Sequence, residues 1–287
     1  MSSPPTRTLW HLLEPVHAVV YFAPEPRAAY ADVGLKGGWM GYFASRSAAM
    51  GPVPASVVTA TFFNFHPTMV ARSIPDAWAL STPERVLAAR LTGVDAALRR
   101  LLGDDVGGEH VRRAAELAGR ALTACDVAGR PLFAAHVAHP TPGEPHLALW
   151  HRLTCLREHR GDGHVSVLVA AGVDGCEANV LQVAAGGLSA QMQQDYRGWS
   201  APEWGSATNR LTDEGFLDAD GRLTDKGGAL MDDVERRTDA LAAAPYRKLG
   251  AVGCAELTAA LRPLTRAVLA DGAMPFPNPM ALPQPEL

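Results

Sequence analysis

Within Trp199-Ser-Ala-Pro-Glu-Trp-Gly-Ser-Ala-Thr-Asn-Arg-Leu-Thr-Asp-Glu-Gly-Phe-Leu-Asp-Ala-Asp-Gly-Arg-Leu-Thr-Asp-Lys-Gly-Gly228, three pieces of local structure can be read directly. Ser200 is a helix-capping residue type, and Pro202 with Glu203 suits the first turn that follows it. Trp204, Ala207, Thr208 and Leu211 recur at helical spacing, which gives that helix one face to bury. Gly215 is placed to end it. Two short apolar pieces then flank Asp-Ala-Asp-Gly, a pattern that predicts a tight β-hairpin. Thr224 starts a further helix.

Upstream and downstream the same helical periodicity dominates. Ala88, Leu91, Val94, Leu98 and Leu102 make one apolar stripe, and Leu230, Val234 and Leu241 make another. Strand-like alternation is almost absent outside the hairpin. The fold class expected is mainly α: two degenerate winged-helix-like (helix-turn-helix) repeats with a small β-hairpin wing. The duplication rests on ordered landmarks. Trp78 precedes Pro83-Glu84, Ala88 and Leu91 much as Trp199 precedes Pro202-Glu203, Ala207 and Leu211. Gly107-Gly108 matches Gly227-Gly228. Trp39 stands before Gly51-Pro-Val53 as Trp150 stands before Gly163-His-Val165. The offset grows from about 112 residues to about 120, so the second half carries a small insertion. The expected division is an N-terminal repeat over 1–137, a proline-rich linker over 138–146, a C-terminal repeat over 147–274 and a proline-rich tail over 275–287.

The order helix, hairpin, helix resembles the MarR-type winged helix-turn-helix. The resemblance implies that Pro202 to Glu214 takes the place of a recognition helix, with Ser206, Asn209 and Arg210 outward and Arg222 on the wing. Local charge opposes DNA binding. Between Trp199 and Pro245 ten carboxylates face five basic residues, and phosphate contacts supply most non-specific affinity. The whole chain, with 26 basic and 30 acidic residues, carries a net charge of −4. Binding of polyanions through bulk charge is therefore not expected.

Four further stretches, Glu14-Pro-Val-His-Ala-Val-Val-Tyr-Phe22, Phe63-Asn-Phe-His-Pro67, Leu156-Arg-Glu-His-Arg-Gly-Asp-Gly-His164 and Pro275-Phe-Pro-Asn-Pro279, together resemble an actinobacterial helix-turn-helix family called SalK-like. The resemblance runs nearly end to end and implies the helical two-repeat architecture. It carries no activity with it.

The chemistry-bearing residues concentrate mid-chain. Six of the ten histidines fall between His136 and His164. The run Arg157 to His164 reads as a helix-breaking polar segment, because Gly161 and Gly163 loosen the backbone. It is either a solvated loop or a polar wall. As a wall, Arg157 or Arg160 would clamp an anionic group, with Asp162 beside them, and Glu158 would exchange protons with His159 or His164. Glu14 and His17, three apart on a helix, share a side and would face that wall. Trp150 and His66, the latter in an apolar setting, complete the candidate ligand-binding set.

One E-x-x-H pair is too few for a di-iron bundle. No H-E-x-x-H, G-x-S-x-G, G-x-G-x-x-G or phosphate-loop motif occurs. The four cysteines (Cys125, Cys155, Cys176, Cys254) lack metal or disulfide spacing. No metal site is expected, and the residues point to no particular cofactor. The apolar stretch Leu9 to Ala23 is interrupted by His11, Glu14, Pro15 and His17, so neither a signal peptide nor a membrane span is read there. A cytoplasmic location is expected.

Three functions are compatible with these residues. The first is a small-molecule-binding protein of winged-helix descent, a ligand-responsive regulator that binds DNA weakly. The second is an enzyme, or a haem or metal protein, using the Glu/His/Arg cluster. The third is a conventional MarR-like DNA-binding regulator.

Overall fold

The computed structural model describes residues 5–186, 188–272, 274–285 and 287. Residues 1–4 of the expected N-terminal repeat and Glu286 of the tail lie outside them.

The chain is mainly helical. In order it forms α1 (Pro5–Phe22), α2 (Pro24–Asp32), α3 (Gly37–Ser47), α4 (Ala55–Phe62), α5 (Pro67–Ala71), α6 (Asp76–Leu80), α7 (Pro83–Leu102) and α8 (Glu109–Leu122). Then follow α9 (Pro131–Val137), α10 (Pro145–Ala170), α11 (Gly175–Ala184), α12 (Ala190–Arg197), α13 (Ala201–Asp213), α14 (Asp225–Leu241) and α15 (Ala244–Ala270). Proline recurs at the first turns, where its missing N–H costs nothing. The caps follow the sequence. The Ser200 hydroxyl and the Glu203 carboxylate form a reciprocal capping box on α13, and the Thr224 hydroxyl accepts from Gly227 N–H at the start of α14.

Two expectations are corrected. The hairpin wing is reduced to a turn: among the described residues the only β contact is one antiparallel bridge, Leu217 to Leu223. The Asp218 carboxylate accepts from the N–H groups of Asp220 and Arg222, at 2.9 Å each, and so turns the chain before paired strands can extend. The run Arg157 to His164 is not a loop either. It lies inside α10, which continues through Gly161 and Gly163. Packing outweighs the roughly 1 kcal/mol that each glycine costs a helix. The Arg130 guanidinium crosses α10 at Gly163, where an added Cβ would lie 2.8 Å from its Nη1. From there Arg130 donates to the carbonyls of His159 and Leu241. On the same side the Asp162 carboxylate accepts from Phe133 N–H at 2.9 Å and so caps the first turn of α9.

Helix α10 is the axis of the molecule, packed against α8, α14, α9 and α1. One apolar core joins α1, α7, α8, α10 and α15, drawing on both sides of the loop at 138–144. A second lies among α2–α7 and α9 and includes Phe43, Phe62, Phe65 and Leu132. A third holds α11, α13 and α14 to the end of α10, around Leu168, Leu181, Trp204, Leu211 and Val234. Met274 and Leu282 of the tail pack on Ala18 of α1. Asn278, buried at 1%, folds the tail back by accepting from Met280 N–H and Leu282 N–H.

The second and third cores meet at Phe63-Asn-Phe-His-Pro67. Phe63 adopts a positive φ of 58°. The Asn64 carbonyl accepts from the Asn179 side-chain amide at 2.9 Å and from the Trp199 indole at 3.0 Å. Gly175 passes so close that an added Cβ would sit 2.3 Å from the Phe63 carbonyl oxygen. Only glycine admits that approach. Among the described residues no single helix is long and apolar enough to cross a membrane; α10 and α11 meet the test only together and are bent by 98°.

Candidate functional site

A cavity of about 530 Å³ opens where the three cores adjoin. Its walls come from α1 and α10, from the Phe62–Phe65 segment, from α11 and α14, and from the tail at Met280, Ala281 and Pro283. The stretches Glu14–Phe22, Phe63–Pro67 and Leu156–His164 each contribute to this wall, and Pro275–Pro279 abuts it.

The polar part of the wall is a chain of ion pairs. Glu158, almost wholly buried, accepts from Arg157 Nη1 at 2.9 Å and from Arg46 Nη2 at 3.2 Å. Arg157 also donates through Nε to Glu14 at 3.2 Å, and the Trp10 indole donates to the other Glu14 oxygen. Arg46 reaches the Tyr42 hydroxyl at 2.9 Å and stacks on Phe62. Burial opposes ionisation of Glu158, yet Arg157 and Arg46 outweigh it and hold the carboxyl well below the usual range. Glu158 is a fixed anion and a poor proton donor.

A second network sits further along α10. Arg160 donates to Glu235 at 2.9 Å and to Asp239 at 3.4 Å, while Arg7 reaches Asp239 at 3.0 Å. Arg160 also lies over the Trp10 ring. His164 faces the cavity, is hydrogen-bonded to the Thr238 hydroxyl at 3.0 Å, and has its pKa lowered by burial to about 4.

The structure brings together five of the ten candidate ligand-binding residues: Glu14, Arg157, Glu158, Arg160 and His164 all line the cavity. The others lie elsewhere. His17 sits behind the wall, stacked on Trp150 and bonded to Thr154 and Tyr21. Trp150 spends its indole N–H on the His17 carbonyl. Asp162 and His159 face α9, with the His159 ring against Phe133. His66 caps α5 and pairs with Glu203 at 2.8 Å. The proposed proton exchange between Glu158 and His159 is corrected: adjacent residues of a helix point about 100° apart, and His159 lies on the far side of α10. Among the described residues, no three His, Cys, Asp or Glu side chains come together as a metal-binding group.

Sequence reasoning missed Arg46, Arg197, Tyr42 and Trp10. Arg46 gave one faint signal, being a lone charge within the apolar run from Met40 to Met50. Arg197 gave none, since it ends a polar helix.

Three of the four residues proposed to read DNA are otherwise engaged. Ser206 donates to the Pro202 carbonyl, Arg210 is paired with Asp174 and Glu177 at 2.6 Å each, and Arg222 is paired with Asp220. Asn209 is exposed. A model of a helix-turn-helix family matches residues 6–275. The chain belongs to this helix-turn-helix family. No curated protein and no solved structure gave a significant match. On the side facing α1 and α10, helices α11 and α14 line the cavity through Ala178, Leu181, Met231 and Val234.

Proposed function

We propose that this helix-turn-helix protein binds a small molecule in the cavity and acts as a ligand-responsive regulator. The observation that carries the reading is the shared wall: one cavity of about 530 Å³ is lined both by the ion pairs of α1 and α10 and by α11 and α14, the segment we read as the helix-turn-helix. That volume lies within the range of small-molecule sites, roughly 300–1,000 Å³. A ligand touching both sides would bias the position of α11–α14, which is how a binding event becomes a conformational one. The SalK-like resemblance, the descent from two winged-helix repeats and a cytoplasmic location belong to the same reading. Support for the repeats comes from the parallel roles of two tryptophans. Trp78 and Trp199 each donate the indole N–H to a distant backbone carbonyl, of Val53 and of Asn64, and each is followed in sequence by a helix with a Ser or Thr cap and an early proline.

Native mass spectrometry of the chain against a library of neutral, anionic and cationic small molecules tests the reading. The natural chain is expected to retain one ligand per protein, and Ala178→Trp, which fills the cavity, is expected to retain none. Absence of any adduct, or equal adducts with both proteins, would count against it.

Direct DNA reading is the weaker alternative within the family. It is favoured by the family's fold and opposed by the pairing of Arg210 and Arg222. A fluorescence anisotropy titration with random duplex at about 0.15 M salt is expected to show no sub-micromolar binding. Tight binding that falls steeply with added salt would place DNA first.

A further inference from the structure

Among the described residues five guanidinium groups line the cavity, and four are matched. Arg46 and Arg157 share Glu158 and Glu14; Arg160 and Arg7 share Glu235 and Asp239. Arg197, at the end of α12, is the exception. It is 7% exposed and stacks on Phe65 with its guanidinium carbon 4.5 Å from the ring centre. Among the described residues its guanidinium makes one hydrogen bond, from Nη2 to the Pro279 carbonyl, and no carboxylate lies within ion-pair distance. Among the described residues its Nε has no partner. Burial lowers its pKa to about 10, which still leaves it a cation at neutral pH. A buried charge without a counter-ion is strongly destabilising, and this one opens on a cavity.

We propose that the cavity takes an organic monoanion, a carboxylate with an apolar body, and that Arg197 anchors its charged end. This rests on the reading of the cavity as a ligand site. The charge count sets the valence. Among the described residues one cation on the cavity wall is unmatched and one carboxylate balances it, whereas a phosphate dianion would bring excess negative charge towards Glu14 and Glu158. A guanidinium fork suits a carboxylate's two oxygens, and the Nη1 edge is not taken by the Pro279 carbonyl. The rest of the wall sets the body: Phe62, Leu168, Leu181, Val234 and Met280 offer apolar contact. The tail supplies the Pro279 carbonyl and Met280 together, so the bound acid would lie between α12 and the tail.

Isothermal titration calorimetry of the full chain at about pH 7.5 tests this with phenylacetate and octanoate against their neutral amides and inorganic phosphate. At least one acid is expected to bind at least tenfold more tightly than its amide, and phosphate is expected not to bind. Arg197→Met is expected to lose at least tenfold in affinity for that acid, and Arg197→Lys to lose less. If the Arg197 variants do not fold by circular dichroism, the acid–amide comparison on the natural chain decides alone. Amides that bind as well as acids would overturn the inference and leave the ligand-site reading standing. So would phosphate binding more tightly than either acid, or neither acid binding at about 10 mM. The ligand-site reading itself falls only if the wider library also gives no adduct that Ala178→Trp abolishes.

Discussion

Lowering the pH from about 7.5 to about 5 is expected to unfold the chain cooperatively. Burial, with Arg90 close by, pushes His136 down to about 3 and His151 to about 4. Burial, with Arg130 close by, pushes His159 down to about 4. Burial holds His164 at about 4 as well, against the opposing pull of Glu235. In the unfolded chain each ring takes up its proton near pH 6.5. Between about 6.5 and 4 the unfolded state therefore binds more protons than the folded state. The stability these rings contribute is present above about 6.5 and is lost as pH falls. Four rings at about 1.4 kcal/mol per pH unit each give a slope of roughly 5 kcal/mol per unit near pH 5. Asp162 has the opposite sign. Burial raises its pKa to about 6, so the folded carboxyl gains its proton first and offsets roughly one ring's share. A net slope of roughly 4 kcal/mol per unit is large against a total stability of about 5–15 kcal/mol. Circular dichroism at the helical minimum should show an acid midpoint above about pH 5. A helical signal unchanged down to about pH 4 would contradict the burial of these rings.

Glu158→Gln is expected to be the most damaging single change on the cavity wall. The carboxylate is 1% exposed and holds both Arg157 and Arg46. Removing one partner of a buried pair leaves an uncompensated charge and costs about 3–5 kcal/mol. Urea denaturation should report a loss of that size. Glu144→Gln, at an exposed carboxylate whose nearest cation is 3.9 Å away, should change stability by less than about 0.5 kcal/mol. A loss below about 1 kcal/mol for Glu158→Gln would show that Arg46 and Arg157 find other partners. The double variant Arg46→Met/Glu158→Gln should lose less than the sum of its single changes, because the two residues act through one contact.

Local chemistry was the legible part of the sequence. The Ser200 and Thr224 caps, the buried face of α13 and the helical character of the chain follow from short-range rules, and the structure shows them where those rules place them. The wing failed because the Asp218 turn closes too early, a detail of side-chain hydrogen bonding that alternation of apolar residues does not record. The helix through Arg157–His164 failed for a tertiary reason. Gly161 and Gly163 break an isolated helix, but here Gly163 makes room for Arg130 from a distant loop. The candidate site was half legible. Glu14, Arg157, Glu158, Arg160 and His164 are conspicuous by polarity in apolar surroundings. His17, His159 and His66 look the same in sequence, yet their hydrogen bonds and ring contacts turn them elsewhere. Arg197 could not be found, because what singles it out is that no carboxylate of the described residues lies beside it, a property of the folded chain alone.

A ligand in the cavity is expected to report to α11–α14, the segment proposed to be the helix-turn-helix. Hydrogen–deuterium exchange of the full chain, with and without a saturating concentration of whichever of phenylacetate and octanoate binds, tests this most directly. The account predicts slower exchange in α11 around 178–182, in α14 around 231–235 and in the tail around 280–283, the segments that wall the cavity with α10. Slowing confined to the outer surfaces of α2 and α8, or no slowing in α11 and α14 with the ligand bound, would contradict it.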